Sequence, residues 1–140
     1  MSVGILLITH PGVGNAMLHI ATRIIGRSTL PIKCLEVPPD AALDPVCERA
    51  RSALKVLDRG AGVLVMTDLY GATPHNIAQR VACGERRATV LSGLNLPMLL
   101  RVFNYPDDDL QTLTSKAAEG GTRGIMGCPM EPADASKKAG

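Results

Sequence analysis

The sequence predicts an α/β fold: a doubly wound, mostly parallel sheet flanked by helices. Three observations carry that reading. Apolar runs too short for helices alternate with stretches of 3.6-residue periodicity. Glycine- and proline-bearing junctions separate the two kinds of segment. The apolar residues, 46% of the chain, are almost all aliphatic, and aromatics make up 2%. Such a composition suits a parallel sheet covered by helices, whose strands read as continuous Val/Ile/Leu runs.

Residues 3–9 form the first such run, a strand buried on both faces. It stops at His10-Pro11-Gly12-Val13-Gly14. From Asn15 the period changes, and Met17, Ile20, Ala21, Ile24 and Ile25 follow helical spacing as the expected buried stripe. His19 and Arg23 fall on the far face, and Gly26 marks the end. Residues 32–37 read as a second strand, followed by Pro38-Pro39. Asp44 with Pro45 reads as an N-cap and first-turn proline. Val46, Ala50, Ala53, Leu54 and Leu57 are then the inner face of a second helix that stops near Gly60.

Residues 62–67 are a third buried strand ending at Asp68, with 69–72 as a loop. Thr73-Pro74 repeats the cap-plus-proline pattern and opens a helix to about Ala82. Residues 89–92 are a fourth strand, and Gly93-Leu94-Asn95-Leu96 leads into a helix at Pro97. After the acidic loop 106–109, residues 110–119 read as a last helix and 122–126 as an edge strand. A domain over 1–128 and a polar tail over 129–140 complete the division.

Composition excludes several function classes. The formal charge is +2 and no Lys/Arg block exceeds two residues, so a nucleic-acid footprint is not expected. Scarce aromatics leave no stacking platform for bases. Cys34, Cys47, Cys83 and Cys128 form no CxxC pair and read as reduced thiols. No apolar run approaches the roughly 20 residues of a membrane span, and the N-terminus lacks a basic leader region. A cytoplasmic protein is the expectation.

In doubly wound sheets the reactive crevice lies outside the C-terminal ends of the strands. His10, Asp68 and the 93–95 segment fall at such ends. A neutral imidazole offers one nitrogen as a nucleophile while a carboxylate fixes the other. Asp68 suits that task if the first and third strands are neighbours. The Thr73 hydroxyl, helix amides after Thr73-Pro74, Gly71, and the Gly12 and Gly14 amides are the expected donors to phosphate oxygens. No metal site is expected: His10 and His75 lack a clear third ligand.

The blocks ILLITHPGVGNAML, GVLVMTDLYGATPHNIA and LSGLNLPMLL resemble the mannose/fructose-type IIA component of the phosphoenolpyruvate-dependent sugar phosphotransferase system. They span about three-quarters of the chain in the family's order. The resemblance implies a phosphotransferase relay in which His10 accepts phosphate from phospho-HPr and passes it to a IIB component. By matching position, His10 is the phosphorylated histidine and Asp68 the acid on its other nitrogen. Thr73 keeps a hydroxyl where serine is common, and Gly71, Pro74, Asn76, Asn95 and Pro97 also match. No cofactor beyond the covalent phosphohistidine is implied. A homodimer is implied, with a C-terminal strand often exchanged between subunits. The IIB partner is expected as a separate chain and the membrane is touched only through a transporter complex.

Pro11 and His75 depart from the family pattern, and the segment TRGIMGCP is only loosely like the exchanged strand. Two other readings compete. Gly12-Val13-Gly14 after a first strand, with Glu36 ending the second, resembles part of a dinucleotide-binding fingerprint, although Met17 stands where a third glycine belongs. Alternatively, the chain is a purely regulatory IIA protein whose phosphorylation state is read by a regulator.

Overall fold

A computed structural model describes residues 1–85 and 87–129. Its four strands are β1 (Gly4–Thr9), β2 (Ile32–Glu36), β3 (Val63–Thr67) and β4 (Ala88–Ser92). They form one parallel sheet in the order β2-β1-β3-β4. The helices are α1 (Gly14–Ile25), α2 (Leu43–Leu57), α3 (Thr73–Ala82), α4 (Leu96–Phe103) and α5 (Leu110–Arg123). The doubly wound expectation holds.

Alternation along the strands builds two cores. Ile5 and Leu7 of β1 with Leu64 and Met66 of β3 face α1, α4 and α5. Leu6, Ile8, Val63 and Val65 face α2 and α3. Every residue of β1 and β3 is buried, which is why these central strands read as unbroken apolar runs.

Helix α1 has the predicted period but not the predicted phase. Ala21 is fully buried and Met17 and Leu18 pack on the core, whereas Ile20, Ile24 and Ile25 are 44%, 60% and 39% exposed. The helix lies close to the sheet through the small Ala21, and that turns part of the apolar stripe outward. Asp44 is not an N-cap. The capping position of α2 is Ala42, and Asp44 sits in the first turn with a carboxylate oxygen 3.5 Å from Arg80 Nη2. Thr73 likewise is the first helical residue of α3, and Ala72 precedes it as a cap without a side-chain bond. Asn95 and Asp109 do cap, accepting from the Met98 and Thr112 amides at 3.0 and 2.8 Å.

The expected edge strand over 122–126 is absent among the described residues. Helix α5 continues through Gly120 and Gly121 to Arg123. The two glycines extend the helix because they let it close on α4. A Cβ on Gly120 would sit 2.7 Å from the Arg101 side chain, and one on Gly121 would sit 2.9 Å from Met98 Cε. Of the tail expected over 129–140, residues 130–140 lie outside the described residues.

A similar close approach secures α1. A Cβ on Gly14 would lie 2.5 Å from Cys34 Sγ and 2.9 Å from Thr9 Oγ1. Gly14→Ala is expected to cost about 1–3 kcal/mol, the range for overpacking. Adding Cys34→Ala should recover part of the loss in thermal unfolding, since it removes the sulfur in the way. A double variant no more stable than Gly14→Ala would contradict that source of strain.

Candidate functional site

Because β1 pairs with β3 in the register Ile8↔Thr67, the residues just beyond each strand meet. Asp68 Oδ2 lies 2.8 Å from His10 Nδ1 and also accepts the His10 backbone N–H at 3.1 Å. One carboxylate oxygen thus holds both the backbone and the ring of His10. An ionised carboxylate only accepts, so in the neutral imidazole paired with it the proton sits on Nδ1 and Nε2 keeps its lone pair. The His10 side chain is 46% exposed and that of Asp68 13%. The acid is sheltered while the imidazole opens to solvent. Asp68 Oδ1 and Thr67 Oγ1 are buried with no hydrogen-bond partner among the described residues.

The loop after His10 offers no free amide. His10 N–H goes to Asp68, and Pro11 has none. Gly12 and Asn15 donate to the two oxygens of Glu36, each at 3.0 Å. Val13 donates to the His10 carbonyl at 3.3 Å, and Gly14 to Thr9 Oγ1 at 2.9 Å. The Thr9 hydroxyl in turn donates to the His10 carbonyl at 2.9 Å. The Gly12 and Gly14 amides, expected as phosphate donors, are already held by Glu36 and Thr9. The same carboxylate stands where a dinucleotide's pyrophosphate would need the amides, which removes the basis of the fingerprint reading.

The Gly12 amide, and next the Asn15 amide, hold the Glu36 carboxyl below the usual glutamate range. Its folded pKa is depressed, so the stability it contributes is complete above the unfolded pKa and lost as pH falls through the folded one. Wild type should lose more stability than Glu36→Gln as pH falls from about 5 through that lower value. Denaturant unfolding across the range checks this, and parallel curves would contradict it. Burial, with Glu36 nearby, pushes the neighbouring Cys34 thiol up to about 11. Cys34 is accordingly a protonated packing residue and not a nucleophile.

On the other side, α3 begins with unclaimed donors. The amides of Thr73 and His75 have no acceptor among the described residues, and Thr73 is exposed. Gly71 differs, because its N–H donates to His75 Nδ1 at 3.1 Å. That bond occupies the Gly71 donor expected for phosphate, and Gly71 has a turn-forming place at φ 83°. His75 is 3% exposed, and its ring centroid lies 4.5 Å from that of Tyr70. It braces the loop from within. Among the described residues no group of three or more His, Cys, Asp or Glu side chains gathers as a metal cage.

A phosphotransferase-system family model, described as the fructose IIA component and designated EIIA-man, matches residues 4–117. The chain belongs to this IIA family. The mannose-specific EIIAB component of Escherichia coli K12 is 26% identical over 99% of this chain, which spans 43% of that longer protein. The sorbose-specific EIIA component of Lacticaseibacillus casei is 28% identical over 70% of each chain. Among solved structures, the mannose/sorbose-specific IIA subunit from Enterococcus faecalis superposes with a TM-score of 0.82. It shares 21% identity, with 94% of this chain and 98% of that one covered.

Within this IIA fold the structure joins His10 to Asp68 and puts the helix opened by Thr73 behind the same strand, β3. Gly12, Gly14 and Gly71 are turn and packing residues whose amides are occupied. Sequence reasoning missed Thr9 and took Glu36 only for a ribose-binding acid. One signal was available: both are polar residues ending their strands on the side where the crevice opens. No helix among the described residues is long and apolar enough to cross a membrane.

Proposed function

We propose that this chain is a phosphoryl carrier of the sugar phosphotransferase system, accepting phosphate on His10 from phospho-HPr and delivering it to a IIB component. The observation that carries the reading is the single Asp68 oxygen that binds both His10 N–H and Nδ1, leaving Nε2 as the free nucleophile. Membership of the IIA family supports it.

In the reaction, the Nε2 lone pair forms a bond to phosphorus as the donor's P–N bond breaks. The donor imidazole leaves with that electron pair. Positive charge develops on the His10 ring, and the Asp68 carboxylate at Nδ1 stabilises it; such a charge-assisted bond is worth about 1.5–3 kcal/mol. The phosphoryl oxygens are received by the Thr73 and His75 amides and the Thr73 hydroxyl, aided by the α3 dipole. Positioning and charge stabilisation are the main demands of phosphoryl transfer, and no metal or organic cofactor takes part. The carrier works in the cytoplasm as a homodimer, with the membrane reached only through a transporter complex.

The test is intact-mass measurement after incubation with phosphoenolpyruvate, enzyme I and HPr. The expected result is an acid-labile gain of one phosphoryl group, with loss of that group to a cognate IIB protein. An unchanged mass would sink the carrier reading.

A further inference from the structure

We propose that Glu36 is a positioning residue for His10 phosphorylation: it fixes the loop over residues 10–15 and closes the start of α1 to the phosphoryl group. This rests on the carrier reading of His10. Glu36 is the last residue of β2 and stands opposite Thr9 in the ladder between β1 and β2. Its two oxygens reach across to Gly12 and Asn15, on either side of the first helical residue.

Apart from the Thr9 hydroxyl, which accepts the Gly14 amide at 2.9 Å, helix α1 has no other device for this purpose. Its capping residue Val13 makes no side-chain bond, and its first turn carries no acidic residue. Helix N-termini attract anions through unpaired amides and the dipole. Two such termini, those of α1 and α3, follow the strands that end just before His10 and Asp68. The carboxylate of Glu36 fills one with a fixed negative charge, while the Thr73 and His75 amides of the other stay unclaimed.

The consequence is directional. A phosphoryl group arriving at His10 meets the Gly12 and Asn15 amides already bound to a carboxylate on the α1 side, and the free Thr73 and His75 donors on the α3 side. Like charge repels it from the first and hydrogen bonding draws it to the second. Pinning Gly12 and Asn15 also keeps the loop from swinging and pulling His10 off Asp68.

Single-turnover transfer from phosphorylated HPr to wild type, Glu36→Gln and Glu36→Ala tests the proposal. In Glu36→Ala the maximal rate should fall roughly tenfold, the kinetic equivalent of about 1.4 kcal/mol, with the half-saturating donor concentration unchanged. Glu36→Gln keeps one acceptor oxygen and the side-chain shape, so it should recover part of the rate. Separately, NMR of the unphosphorylated proteins during titration with inorganic phosphate should show saturable shifts of the Gly12 and Asn15 amides in Glu36→Ala and none in wild type. A wild-type maximal rate in Glu36→Ala, or the absence of those new shifts, overturns the proposal. If wild type takes up no phosphoryl group at all, the carrier reading fails by itself, and the phosphate titration still decides what Glu36 does.

Discussion

His10→Ala is expected to take up no phosphoryl group while folding as the wild type does. The side chain is 46% exposed, and its one side-chain hydrogen bond is to Asp68. Truncating it therefore removes the nucleophile without opening a cavity in either core. The Asp68 carboxylate keeps the His10 backbone N–H as a partner, because that bond does not depend on the ring. Unfolding stability should stay within about 1 kcal/mol of wild type, as for most partly exposed sites. Mass analysis after incubation with the phosphorylated donor reads the first expectation and denaturant unfolding the second. Retained labelling in a folded variant would move the phosphorylation site elsewhere.

Asp68→Ala should slow transfer by between about tenfold and about a hundredfold. That range corresponds to the roughly 1.5–3 kcal/mol of a charge-assisted hydrogen bond lost from the transition state. Two effects combine. Without the carboxylate the ring is free to rotate and to take the other tautomer, so Nε2 is protonated part of the time. The positive charge that forms during attack also loses its counter-ion. Asp68→Asn separates the two, because its carbonyl oxygen still accepts from Nδ1 but carries no full charge. It should fall between wild type and Asp68→Ala in rapid-mixing kinetics. Identical rates for wild type and Asp68→Ala would deny Asp68 any part in orientation.

The central strands were legible in the sequence from local patterns, and the His10–Asp68 pair because both residues follow strand ends, given that β1 and β3 are neighbours. A doubly buried strand must be continuously apolar, and the crevice of a parallel sheet lies beyond its strand ends. Misread features depend on contacts between distant segments. The phase of α1 is set by how closely Ala21 approaches the sheet, which the period of its apolar residues does not encode. Gly120 and Gly121 look like a helix stop until α4 lies against them, where side chains would collide with Arg101 and Met98. The glycines after His10 look like a phosphate cradle until Glu36 from β2 takes the Gly12 amide and the Thr9 hydroxyl takes the Gly14 amide. In each case a tertiary neighbour decides between two locally reasonable meanings.

The most direct test of the account is to phosphorylate uniformly ¹⁵N-labelled protein and identify the modified nitrogen by NMR. The Asp68 contact at 2.8 Å occupies Nδ1, so the phosphoryl group is predicted on Nε2 of His10, with the Nδ1 proton still present and bonded to Asp68. Phosphorylation at Nδ1, or on a residue other than His10, would contradict the orientation on which the mechanism depends.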